Sequence, residues 1–164
     1  MATSSDMNPD ALVGAAEPTV KRLEIEGARI YTEVRGSGDP VLLIGAADED
    51  AEMYRGIAER LAVFHTVLTY DRRGTGRSDR ANWPSDSARH ADDAAVLITS
   101  LNMSDVVVLG ASAGGIVALR LALLHPKPLK AVLAFEPGIF GVAGGGKELR
   151  RRVEGAVNDH LKSK

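Results

Sequence analysis

Ser112 stands in Gly110-Ala111-Ser112-Ala113-Gly114-Gly115, directly after the apolar run Val106-Val107-Val108-Leu109 and directly before a stretch with helical spacing. G-x-S-x-G between a buried strand and a helix is the arrangement that exposes a nucleophilic hydroxyl. The apex residue is forced into a strained backbone conformation, so the residues two away must be small, and Gly110 and Gly114 remove the Cβ atoms that would clash. Ser112 Oγ is then presented at the carboxyl end of its strand. The N-terminus of the following helix favours a developing negative charge, and the Ala113 N–H is placed to donate to an oxyanion. The chemistry implied is nucleophilic attack by the Ser112 hydroxyl. The competing reading is a Gly/Ser/Ala turn that merely lets strand and helix pack; the flanking strand and helix tell against it.

A serine nucleophile needs a base, normally histidine, and a carboxylate that orients it. Glu136 closes a later apolar run in Phe135-Glu136-Pro137. At that position it comes beside Ser112, at the end of the sheet where open α/β folds bind ligands. It is read as the triad acid, as a polar wall of the pocket, or as a loop residue facing solvent. The chain has four histidines, and none is a good base. His65 starts a strand at the wrong end. His90 begins a helix. His125 precedes Pro126 at a helix C-terminus, where an imidazolium favours the dipole, opposite the Ser112 turn. His160 lies near the apolar stripe of a candidate terminal helix.

The elements that must hold these residues follow from hydrophobic period. Val20 to Glu26 and Ala28 to Val34 read as a hairpin. Arg35 to Pro40 is a turn signal. Val41-Leu42-Leu43-Ile44, apolar throughout, reads as a strand buried on both faces. Residues 50–62 show helical spacing through Tyr54, Ile57, Ala58 and Leu61. His65 to Tyr70 is a β-rich run, and residues 88–101 are helical, with Ala94, Leu97, Ile98 and Leu101 on one face. Val106 to Leu109, a helix over 113–125 and a buried strand over Ala131 to Phe135 complete the series. Strands alternating with helices predict an α/β fold, a three-layer sandwich with a mostly parallel sheet and an N-terminal antiparallel hairpin.

Three segments are expected: a flexible tail over 1–18, an α/β core over 19–137, and over 138–164 a glycine-rich loop leading into a helix. The loop, Gly138 to Gly146, holds five glycines. The helix candidate, Lys147 to Lys164, carries a stripe of Leu149, Val153, Ala156, Val157 and Leu161.

Composition narrows the function classes. Twenty Lys and Arg against 22 Asp and Glu leave a net charge of −2, and aromatics make up 4%. Neither a strong electrostatic pull on nucleic acid nor stacking platforms for bases follows. The absence of cysteine rules out disulfides, thiolate zinc sites and a cysteine nucleophile. No stretch resembles a secretion signal or the ~20 apolar residues of a membrane span, so a soluble, cytoplasmic chain is expected. No metal or organic cofactor is implied. Gly141 to Lys147 matches G-x-x-x-x-G-K, but Glu148 stands where a phosphate-binding loop needs Ser or Thr, which makes nucleotide binding a poor fit.

Three motifs together resemble the α/β-hydrolase superfamily, over about Val20 to Pro137. Val41–Gly45 is similar to its third strand leading into the oxyanion loop. Asp71-Arg72-Arg73-Gly74-Thr75-Gly76-Arg77-Ser78 is similar to its D-x-R-G-x-G-x-S loop after the fourth strand. Gly110–Gly115 is similar to its nucleophile elbow after the fifth. The resemblance implies Ser112 as nucleophile, which argues against the aspartate-nucleophile members. It implies Ala113 as one oxyanion donor and the backbone of Ala46 or Ala47 as the second, where members often carry His-Gly and this chain has Ile44-Gly45-Ala46-Ala47. The Asp71–Ser78 loop is read as architectural, Asp71 and Ser78 bonding turn amides; the alternative has Arg72, Arg73 or Arg77 bind an acidic substrate.

In the superfamily the triad order is Ser, acid, His, and only His160 follows Glu136. The full fold has eight strands in the order 1-2-4-3-5-6-7-8, and this chain supplies six. At ~30 residues per strand and crossover, the remainder with a lid needs roughly another hundred residues. The expectation is the N-terminal part of a serine hydrolase acting on an ester or related acyl bond, ending within the lid, its triad incomplete and its activity weak. The competing expectation is a non-catalytic hydrolase-like scaffold. The sixth strand would leave an open sheet edge, so a homodimer or a complementing fragment could pair there or on the terminal helix. The other partner is a small-molecule substrate.

Overall fold

The computed structural model describes residues 17–81 and 85–138. Strands β1 (Thr19–Ile25) and β2 (Ala28–Arg35) form the expected hairpin, joined through Glu26 and Gly27. They are followed by β3 (Asp39–Ile44), a 3-10 turn over Ala51–Tyr54, α1 (Arg55–Leu61), β4 (His65–Tyr70), α2 (Ser87–Ser100), β5 (Val106–Ala111), α3 (Ala113–Leu124) and β6 (Leu129–Phe135). The six strands lie in the order β1-β2-β4-β3-β5-β6. β2 pairs antiparallel with β4, and the pairs β3–β4, β3–β5 and β5–β6 are parallel. This is the expected strand order. The parallel register brings Ile44 opposite Gly110 and Ala111 opposite Phe135, so the loops after β3, β5 and β6 leave the sheet at one end. The expected tail, most of the glycine-rich stretch and the terminal helix fall on residues 1–16 and 139–164, outside the described residues.

Two apolar clusters flank the sheet. Leu42, Ile44, Leu68 and Tyr70 pack with Ala94, Leu97 and Ile98 of α2 and Val117, Ala118 and Leu121 of α3. On the other face Val41, Leu43 and Val67 pack with Tyr54 and with Ala58 of α1. Alternate residues of β3 thus enter different clusters, as its unbroken apolar run requires. β6 departs from the expected buried strand. Helix α3 packs on one of its faces, while Leu133 and Phe135 on the other remain 52% and 64% exposed. β3 begins earlier than expected, with Asp39 and Pro40 already paired to His65 and Thr66; proline is tolerated at the first turn of a strand, where a ladder donor is dispensable.

Candidate active site

The turn between β5 and α3 puts Ser112 at φ +50°, ψ −116°. A non-glycine residue seldom adopts positive φ, and where it does the surrounding structure must hold it there at a cost of order 1–3 kcal/mol. The holding contacts are visible. Ser112 N–H donates to Phe135 O at 3.0 Å, and Ser112 O accepts from Ile116 N–H and Gly138 N–H, each at 3.3 Å. A Cβ on Gly110 would lie 2.2 Å from Gly114 O, and one on Gly114 would lie 2.2 Å from Ile44 O. The spacing of G-x-S-x-G is therefore explained by two backbone contacts, one within the turn and one between α3 and the end of β3. Ser112 itself is exposed.

Ser112 opens into a cleft of about 480 Å³ lined by Ala46, Met53, Ala111, Phe135, Glu136 and residues 137–138. Three of the expected site residues, Ala46, Ser112 and Glu136, are brought together there. Ala47 is not: it is exposed on the loop and does not line the cleft. Ala113 opens α3, where backbone N–H groups have no carbonyl a turn earlier to bond. Glu136 sits at φ +42° immediately after β6, exposed on the cleft wall. Met53 and Phe135, both largely exposed apolar side chains, were not singled out from sequence; their membership depends on how the loops after β3 and β6 fold over the sheet end.

Among the described residues no histidine lines the cleft, and His160 lies outside them. His125 caps α3 and its Nε2 lies 2.7 Å from Asp92 Oδ1, at the end away from Ser112, as expected. His90 is buried in α2, with Nε2 3.1 Å from Ser85 Oγ. Burial, with the nearby positive charge of Arg72, pushes its pKa down to about 4. Among the described residues no group of three or more His, Cys, Asp or Glu could hold a metal ion.

The Asp71–Ser78 loop is the frame of this end of the sheet. Asp71 Oδ1 accepts from Ala51 N–H at 2.8 Å, and its Oδ2 accepts from Arg77 N–H at 2.7 Å. Burial pushes the Asp71 carboxyl up, but these bonds and the Arg77 guanidinium outweigh it and hold the group below its ordinary value. Ser78 Oγ donates to Asp71 O at 2.6 Å and accepts from Tyr31 N–H at 2.9 Å. Arg73, fully buried, forks onto Asp93 with 2.8 and 2.9 Å bonds and donates also to the carbonyls of Ile25 and Ala81. Arg77 pairs with Asp71 and Glu33. Arg72 donates to the carbonyls of Ala46 and Ala47. All three guanidiniums are engaged inside the protein, which favours the architectural reading over capture of an acidic substrate.

The sheet order, the strained serine at the β5–α3 turn and the glycine contacts around it define one class of protein, and comparison with known sequences agrees. The pattern of the alpha/beta hydrolase fold family matches residues 39–147. The chain belongs to that family. It is 33% identical over 142 residues to an uncharacterised hydrolase, YraK, of Bacillus subtilis, a match covering 84% of this chain and 52% of that protein. Among solved structures, an alpha/beta hydrolase fold protein from Burkholderia ambifaria superposes with a TM-score of 0.70 at 27% identity, over 76% of this chain and 46% of that one. The epoxide hydrolase CorEH superposes with a TM-score of 0.69 at 28% identity, over 72% and 42%. The chain therefore spans about half the length of the relatives it matches.

Proposed function

We propose that this chain carries the nucleophile and oxyanion half of a serine hydrolase that cleaves an ester or related acyl bond. The observation that carries the reading is Ser112 itself, exposed at φ +50° at the head of α3 and opening into the cleft. A strained, exposed serine held by glycine contacts on both sides has no packing purpose; its geometry serves an outward hydroxyl. In this reading Ser112 Oγ attacks the carbonyl carbon and forms an acyl ester. Backbone N–H groups of Ala113 and of Ala46 or Ala47 receive the oxyanion, and the position of Ala46 on the cleft wall favours Ala46. A serine also separates the chain from an aspartate nucleophile, which would form an alkyl ester instead. Glu136 supplies a carboxylate on the wall, as acid or as a polar contact to substrate. Since among the described residues no histidine lines the cleft, the base comes from a segment outside them or from another chain.

The test is hydrolysis of p-nitrophenyl acetate. Weak turnover that falls in Ser112→Ala is the expected result: without a base the Ser112 hydroxyl attacks slowly, helped by the oxyanion donors and binding. Turnover that is unchanged in Ser112→Ala would overturn the reading.

A second reading, a hydrolase-like binding scaffold, draws on one observation. β6 pairs with β5 and forms the sheet edge among the described residues, with Leu133 and Phe135 exposed beside it. Such an edge can take a further strand from a second copy or a complementing segment. Concentration-dependent self-association without Ser112-dependent chemistry would favour it.

A further inference from the structure

Arg72 is a buried arginine without a carboxylate. Its residue is 6% exposed, and among the described residues it enters no ion pair, whereas its neighbours Arg73 and Arg77 pair with Asp93, Asp71 and Glu33. Its Nη2 instead donates to Ala46 O at 2.7 Å and also to Ala47 O, while its Nε–H finds no acceptor among the described residues. Burying a guanidinium against neutral carbonyls is unfavourable compared with an apolar side chain of the same length. Ala46 O already accepts from Glu49 N–H at 3.3 Å, which closes the turn; Arg72 adds a second, charged donor there and ties Ala47 O as well.

Both carbonyls belong to the loop that the proposed reaction uses. In a trans peptide the carbonyl of one residue and the N–H of the next point in opposite directions. Binding Ala46 O therefore turns the Ala47 N–H away from Arg72, and it fixes the peptide on the carboxyl side of Ala46, which the φ and ψ of Ala46 alone separate from the Ala46 N–H. The preceding residue of the same strand end grips the loop further on: Asp71 Oδ1 accepts from Ala51 N–H at 2.8 Å. The loop is thus pinned at both ends by consecutive residues of the chain leaving β4.

From this geometry we infer that Arg72 is a positioning residue for the hydrolytic reaction, holding the loop after β3 so that its backbone N–H is preformed for the oxyanion. The inference rests on the serine-hydrolase reading above. Arg72 touches no substrate and transfers no proton. Its effect is to remove the reorganisation the loop would otherwise undergo as charge develops, which is where oxyanion donors gain their catalytic value.

The test uses the whole chain and two variants, Arg72→Met and Arg72→Lys. Two quantities are read: the rate of Ser112 modification by an alkyl fluorophosphonate, resolved into a saturation constant and a limiting rate, and amide hydrogen exchange at residues 46–49. Arg72→Met is expected to lower the limiting rate about tenfold or more, with the saturation constant within about twofold, because the donor is needed only as charge builds on the phosphoryl oxygen in the transition state that expels fluoride. Exchange at 46–49 should rise by a similar factor while β3 and β5 stay protected. Arg72→Lys, which keeps the charge and a donor, should recover part of both losses. An unchanged limiting rate in a folded Arg72→Met chain would overturn the inference. If Arg72→Met does not fold, Arg72→Lys decides alone: wild-type rate and exchange would overturn it. If wild-type Ser112 takes no label, the serine-hydrolase reading has failed and the catalytic role of Arg72 goes with it. The pinning of the loop is then judged by exchange, and unchanged exchange at 46–49 would overturn that as well.

Discussion

Gly114 lies so close to Ile44 that a Cβ on the glycine would fall 2.2 Å from the Ile44 carbonyl oxygen and 2.5 Å from that of Gly45. The head of α3 is seated directly on the end of β3, which is how Ser112 and the loop after β3 come to share one cleft. Both contacts are backbone to backbone, so no side chain can swing aside to relieve them. We expect Gly114→Ala to destabilise the chain by roughly 1–3 kcal/mol or more, as overpacking of a fixed contact does. Gly56, near the start of α1, has nothing within 4 Å of an added Cβ, so Gly56→Ala should stabilise by about 0.5–1 kcal/mol. Urea denaturation of the two variants would show the opposite signs.

The elbow serine carries strain that glycine would not. Ser112→Gly and Ser112→Ala both remove the hydroxyl, but only alanine retains the cost of positive φ at this position. Ser112→Gly is expected to melt at a higher temperature than Ser112→Ala. Equal melting temperatures would mean that the turn stores no strain.

How much of this was legible in the sequence varies with how local its cause is. The elbow was legible because its glycines answer to neighbours within the motif and to the strand beside it. The alternation of apolar runs gave the strands, and their order followed once the motif series was recognised. The contacts of Arg72 with the Ala46 and Ala47 carbonyls were not legible: they depend on the loops after β3 and β4 lying side by side, and only their fold distinguishes Arg72 from Arg73 one residue on. The exposed face of β6 was missed for a related reason. Leu133 and Phe135 are apolar in sequence whether or not anything covers them.

Arg73 and Asp93 form an ion pair whose side chains are 0% and 1% exposed. Asp93→Ala would leave a buried guanidinium with only the Ile25 and Ala81 carbonyls as partners. We expect a loss of about 3–5 kcal/mol, the cost of breaking a buried pair from one side. The double variant Arg73→Met with Asp93→Leu should recover much of that loss, because it removes the uncompensated charge. Denaturant midpoints of the single and double variants check both statements.

Acid should weaken the fold in two stages. His90 has a folded pKa of about 4 against an ordinary 6.5, so the unfolded chain binds more protons between those values. Stability therefore rises with pH through that window: it is complete above about 6.5 and declines as pH falls toward 4. Asp71 and Glu33 are held below their ordinary values of 3.8 and 4.5, burial being outweighed by bonds from Arg77, Arg35 and Tyr31. Their contribution is present above those values and is lost as pH falls through the lower folded ones. His90→Gln should flatten the first stage and leave the second. A pH series of thermal unfolding distinguishes the two.

The most direct test of the central claim is covalent modification of the elbow. The purified chain is treated with an alkyl fluorophosphonate, digested and mapped by mass spectrometry, with Ser112→Ala as control. The expected result is a single, slowly formed phosphonyl adduct on Ser112, absent from the variant, while the other serines remain free. An intact fold with no adduct on Ser112, or with labelling that survives Ser112→Ala, would contradict the account.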